Sequence, residues 1–237
     1  MLAEHTLQGV ENGTDEDLVL IEAAVESLNT ALAAADGGAN RIELCTNLPR
    51  GGTTPDVQLL RDCRARLSIP IFVLVRPRPG NFVYTAAEHR TMLEQIRQAQ
   101  EAGAQGIVSG ELLGDHIAMD RTAELIAAAR PLPFTFHRAF DECRDQAAAL
   151  DLLIELGVER VLTSGGAPTA IEGVERIARL VRQSKGRIVI LAGGGINATN
   201  ARTIRDTGVR EVHFSVTDAE KVRQVVDTLL ARNESRP

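Results

Sequence analysis

Ionisable and hydrogen-bonding side chains gather at the ends of short apolar runs in this sequence. Glu22 closes LVLIE, Glu43 and Cys45 close RIELC, Arg76 ends IFVLVR with Arg78 just beyond, and Ser109 and Glu111 follow GIV. Later, His137, Arg138 and Asp141 share HRAFD, and Thr163 and Ser164 precede two glycines. Gly193, Gly194 and Gly195 run toward Asn197, and His213 and Ser215 end the last run. Glu22 and Glu43 are candidate proton acceptors, and His137 with Asp141 is a candidate acid or base. Arg76, Arg78 and Arg138 have the forked guanidinium that grips a phosphate or carboxylate. The amides of Gly193, Gly194 and Gly195, with Ser164 and Asn197, could cradle the same anion at a helix start. Cys45 is the only thiol at a strand end and so the candidate soft-metal ligand.

Each feature also has a plainer reading. Charges buried at strand ends can form a closed ring of ion pairs, three glycines can serve a tight turn, and Cys45 can be a small apolar filler. Phe82 and Tyr84 either line the mouth or anchor their loop. His213 has no adjoining motif like the HRAFD around His137 and reads as packing. Collectively, carboxylates and arginines converging on one place favour a ligand site, because unpaired charge is costly to bury.

Convergence requires elements that bring those run ends together. Eight runs qualify as strands: residues 18–22, 41–45, 71–76, 106–110, 133–138, 160–164, 187–192 and 210–215. Most are apolar on both faces, as in a parallel sheet covered by helices. Between them lie helix signals. Thr85 with Glu88 forms a capping box ahead of Met92, Ile96 and Ala99. Leu150, Leu153 and Ile154 make a stripe stopped by Gly157, and Ile171, Val174, Ile177 and Val181 one closed by Gly186. Asn197 is the expected N-cap of a helix ending near Gly208. One cassette recurs four times, as GANRIELC, GAQGIVSG, GVERVLTS and GVREVHFS, always at an even-numbered strand. Alternate strands supply alternate interior layers of a closed barrel, so the sequence predicts a single-domain α/β TIM barrel of the (β/α)₈ type. A doubly wound sheet is the alternative. The barrel is expected over 17–231, with a flexible N-terminal extension at 1–16 and a tail at 232–237.

Composition narrows the function. A net charge of −6 disfavours a phosphate-backbone binder, so no nucleic acid partner is expected. The first residues lack a secretory pattern and no apolar stretch reaches membrane-span length, so a cytoplasmic protein without a membrane partner is expected. Three cysteines without a CxxC pair fit a reduced compartment. Lys185 and Lys221 are the only lysines and neither ends a strand, which disfavours Schiff-base chemistry. Neither GxGxxG nor a P-loop is present.

RIELCTNLPRGGTTPD, IFVLVRPRPGNFVY, LPFTFHRAFD, GVERVLTSGG and AGGGIN, in this order, resemble the CutC family across residues 18–216. The resemblance implies a cytoplasmic TIM barrel, a homo-oligomer, and a role in copper homeostasis with copper ion binding. The family thiol of the ELC motif is present as Cys45, whereas Ala24 stands about where many members carry a second cysteine. Two functions follow. One is copper handling through Cys45. The other is an isomerase, lyase or hydrolase moving protons on a small anionic substrate, with Glu22, Glu43 and His137 also able to hold a divalent metal.

Overall fold

The computed structural model describes residues 19–230, so the expected extension and tail lie outside the described residues. Eight parallel strands close into a barrel: β1 (Leu20–Val25), β2 (Arg41–Leu44), β3 (Ile71–Leu74), β4 (Gly106–Ser109), β5 (Phe134–Phe136), β6 (Arg160–Thr163), β7 (Val189–Gly193) and β8 (Glu211–Ser215). β1 pairs in parallel with both β2 and β8, with Glu22 opposite Arg41 on one side and His213 on the other. Each of the eight strands has two neighbours and none is an edge, which rules out the open, doubly wound sheet.

Eight helices wrap the strands: α1 (Leu28–Asp36), α2 (Val57–Arg66), α3 (Ala86–Glu101), α4 (Met119–Ala129), α5 (Gln146–Glu155), α6 (Val174–Ser184), α7 (Ala201–Arg205) and α8 (Ala219–Leu230). Ile42, Ile71, Val73, Ile107, Phe134, Val161, Ile190 and Val212 point outward into the core shared with the helices. α3 starts with the expected capping box, and Met92, Ile96 and Ala99 are buried along one face. Asn197 is corrected. α7 begins at Ala201, and Asn197 instead bonds Thr199 within the preceding turn. Ile171 is also outside α6 and largely exposed. An antiparallel hairpin of Leu112–Leu113 with His116–Ile117, unforeseen in the sequence, follows β4. Its two-residue strands are too short to show a periodicity.

Side chains of period two face inward, so β2, β4, β6 and β8 contribute Arg41, Gly106, Arg160 and Glu211 to one interior layer. The next layer from these same strands toward the C-terminal mouth holds Glu43, Val108, Leu162 and His213. The lower layer is ionic. Arg41 bonds both Glu22, at 2.5 Å, and Glu211, and Arg160 reaches Glu211 at 3.1 Å. Phe72 fills the centre, with the Arg41 and Arg160 guanidiniums 4.7 and 5.3 Å from its ring centroid. Only glycine fits at 106, since a Cβ there would lie 2.5 Å from that ring.

Candidate functional site

The strands end in a cavity of about 260 Å³ lined by Glu43, Arg76, Phe82, His137, Arg138, Gly194, Gly195, His213 and Ser215, with Leu48, Gly51, Leu74, Leu162 and Phe214. Three lining groups could move or bind protons. They differ sharply in environment.

Glu43 is buried beneath the mouth, and its Oε2 has no hydrogen-bond partner. Desolvation raises its pKa to about 7, reinforced by the negative charge of Glu22 and opposed by His213 and Arg41. Glu22 is fully buried as well. Burial alone would raise its pKa, but the hydrogen bond from His213 and the Arg41 charge prevail and hold it at about 2. The His213 pKa is raised. Burial opposes the imidazolium, and the Glu43 and Glu22 carboxylates outweigh burial. Glu22 Oε1 accepts from His213 Nδ1 at 2.8 Å, so Glu22 orients the imidazole from below the cavity it does not itself line.

His137 stands across the cavity. Its Nδ1 accepts the Ala139 amide at 3.3 Å, which places the proton of the neutral ring on Nε2. That Nε2 is buried and unpartnered. Burial and then the Arg76 charge lower its pKa to about 3, so it stays neutral at physiological pH with its Nε2 proton unused. Its ring leans on Phe82 at a centroid distance of 4.7 Å, which answers the question of Phe82: it both anchors the loop and lines the mouth.

The arginines divide the work. Arg76 donates to the carbonyls of Gly51 and Gly52 at 2.9 Å and of Gly80 at 2.7 Å, and stacks on Phe82, so it ties the loops after β2 and β3 together at the cavity wall. Arg78 lies outside the lining. It pairs with Glu88 at 2.5 Å and covers Tyr84. Arg138 lines the cavity, half-buried, and bonds Asp141 at 2.8 Å and Ser164 Oγ at 2.7 Å. Asp141 also accepts from Thr163 Oγ1 at 2.5 Å, from the Ser164 amide, and from Gly166 at 3.0 Å. These donors use its oxygens to brace Arg138 and the turn after β6, outside the cavity lining. The Gly194 and Gly195 amides make no hydrogen bond among the described residues and sit on the cavity beside Arg138.

Ser109 and Glu111 turn away. Ser109 bonds Val75, and Glu111 is clamped by His89, at 2.7 Å, and by Arg121. Cys45 is fully buried, donates to Val25 at 3.5 Å, and packs with Phe72, Leu74 and Val108, behind Leu74 rather than in the cavity lining itself. Desolvation raises its pKa far above the ordinary thiol range, helped by the Glu43 and Glu26 charges.

Two site residues escaped the sequence reading. His213 looked isolated because its partners, Glu22 and Glu43, arrive from the far end of the chain through barrel closure. Arg41 opens its strand rather than ending it. The period-two alternation Arg41, Glu43, Cys45 was the available signal for its inward face.

A closed parallel barrel with ionisable groups converging on a cavity at its C-terminal mouth is a TIM-barrel protein. The CutC family model matches residues 19–218. The chain is 48% identical over 198 residues to a human protein named copper homeostasis protein cutC homolog, covering 83% of this chain and 72% of that one. It is also 48% identical to a CutC family protein of Xanthomonas campestris pv. campestris (strain B100), covering 82% of each. A solved CutC structure from Streptococcus agalactiae superposes with a TM-score of 0.78 at 37% identity, covering 83% of this chain and 98% of that one. This chain belongs to the CutC family, as its collinear motifs imply.

Proposed function

We propose that the barrel mouth performs acid–base chemistry on a small anionic molecule, and that this activity underlies the copper-homeostasis role for which curated relatives are named. The observation that carries it is a pair of orphaned polar atoms, Glu43 Oε2 and His137 Nε2, on residues lining one cavity whose third buried orphan is Arg76 Nε. Each is costly to bury without a partner, and a substrate between them would supply both. Glu43, with a pKa near 7, is suited to accept and return a proton. Neutral His137 donates a hydrogen bond to oxygen on which negative charge develops. Imidazolium His213, aligned by Glu22, can deliver a proton to the face opposite, and Arg138 with the Gly194 and Gly195 amides receives the anionic group. The reading includes a cytoplasmic homo-oligomer. Family resemblance supports it, together with Leu113 and Met119, exposed beside the mouth at 74% and 51%. Among the described residues no helix is long and apolar enough to cross a membrane.

Direct copper binding is the second reading, favoured by the relatives' names. The donor set does not fit thiolate-bound Cu(I). Cys45 is one protonated, buried thiol, and Cys63 and Cys143 carry thiols also raised by burial, to about 11 and about 12. Among the described residues the one convergent group of metal-type ligands contains no sulfur.

The test has two arms. The protein is incubated in deuterium oxide with panels of small phosphorylated and carboxylated carbonyl compounds, and solvent deuterium at carbon is read by mass spectrometry. Incorporation that is lost in Glu43→Gln supports the acid–base reading. No incorporation, with no thermal stabilisation by any anion, overturns it. In the other arm, stoichiometric Cu(I) binding that disappears in Cys45→Ser would establish copper carriage instead.

A further inference from the structure

We propose that Glu43 and His213 form an open binding site for a divalent first-row cation at the floor of the mouth, with Glu22 holding the imidazole in place. One ligand atom from each of Glu22, Glu43 and His213 lies within 4.8 Å of the others, a spread that a single ion can bridge. An independent feature points to a ligand there. Glu43 is 5% exposed, lines the cavity, and leaves Oε2 without a partner. A buried carboxyl oxygen with no donor lacks the partner such an atom ordinarily has, and the nearby arginines do not supply a hydrogen bond to it. Arg41 is committed to Glu22 and Glu211, and Arg76 gives its terminal nitrogens to four loop carbonyls and none to Glu43.

Glu22 is the orienting group rather than a third ligand. Its Oε2 accepts from Arg41 Nε at 2.5 Å and its Oε1 from His213 Nδ1 at 2.8 Å, so both oxygens are used. A histidine that gives its Nδ1 proton to a carboxylate has its tautomer fixed, with the Nε2 lone pair left for a metal. This is the carboxylate–histidine arrangement around many bound cations. When the ion arrives, the imidazolium Nε2 proton passes to solvent and Nε2 becomes the donor. Two protein ligands, one fewer than the three usual in catalytic zinc centres, leave the remaining positions to water or substrate oxygen. Nitrogen and oxygen donors without sulfur select Zn²⁺, Mn²⁺ or Cu²⁺ over Cu(I). The ion and the proton transfers of the acid–base reading use the same Glu43 and His213, so they are alternative states of one site. With the ion bound neither side chain serves as base or acid, and the two readings can fail separately.

Calorimetric titration of Mn²⁺ and of Zn²⁺ into the full chain, in buffer free of phosphate, tests the site. One saturable site is expected, weakened about tenfold or more in Glu43→Gln and in His213→Gln and unchanged in Cys45→Ser. Glu43 makes no hydrogen bond that glutamine would lose, so Glu43→Gln should fold normally by circular dichroism. If His213→Gln fails to fold, Mn²⁺ broadening of the His213 imidazole signals in the wild type, ahead of the exposed His116, supplies the second measurement. Absence of saturable binding overturns the proposal. So does an affinity unchanged in Glu43→Gln, or one lost in Cys45→Ser. Persistence of anion-induced stabilisation in a protein that binds no cation would retire this site while leaving the acid–base reading intact.

Discussion

Glu22 and Glu43 face the same barrel interior from adjacent strands, yet hold their protons with opposite preference, at about 2 and about 7. Desolvation pushes both up. Glu22 differs because Arg41 and His213 occupy its two oxygens, whereas Glu43 Oε2 has no partner. Pairs of titratable groups whose surroundings drive them apart are the usual basis for dividing acid and base roles.

Glu43 should make the wild type less stable as the solution becomes alkaline. Its folded pKa exceeds the unfolded value of 4.5, so the folded state holds the proton more tightly; the associated stability is present below pH 4.5 and is lost as pH rises through about 7. Glu43→Gln removes this dependence. Urea denaturation at pH 5 and pH 8 should show the variant gaining on the wild type by on the order of 1–3 kcal/mol at the higher pH. A constant difference between the two conditions contradicts the assignment.

Glu22 should behave in the reverse sense. Its depressed pKa stabilises the fold above about pH 4.5 and that contribution disappears as pH falls through about 2. Arg41→Met, which leaves Glu22 and Glu211 without their shared partner, should cost about 3–5 kcal/mol at neutral pH and less in acid. Melts recorded between pH 3 and pH 7 measure this, and an Arg41→Met penalty independent of pH would argue against buried ion pairing.

Gly106→Ala should destabilise by about 1–3 kcal/mol, because the added methyl would stand 2.5 Å from the Phe72 ring at the centre of the barrel. Phe72→Leu in the same chain should recover part of the loss. Chemical denaturation of the single and double variants gives the coupling, and strict additivity would mean that the two positions do not meet.

Arg76→Lys keeps the charge but not the fork that reaches four carbonyls on two loops. Hydrogen exchange should quicken at residues 50–52 and 78–81, with about 1–3 kcal/mol lost from the global stability. Anion affinity should fall less than in Arg138→Lys, because Arg138 is the guanidinium beside the Gly194 amide. An anion affinity that falls further in Arg76→Lys would move the anion site to the wall formed by the loops after β2 and β3.

The sequence by itself determined the barrel and most of its mouth. Eight apolar runs, their helix signals and the four-fold cassette at alternate strands are local patterns, and each run end at Glu43, Arg76, His137, Arg138 and Gly194 lines the cavity. Periodicity and strand ends need no long-range information, because backbone geometry alone fixes which residues share a face. The tertiary structure alone decided the partners. His213 acquires Glu22 across 191 positions of sequence, and Arg41 reaches Glu211 across 170. Asp141 is drawn into the turn after β6, Glu111 onto His89, and Cys45 beneath the loop at Gly52. The charge state of each group depends on which neighbours closure supplies and how much water it removes, and neither quantity is written in the spacing of residues along one chain.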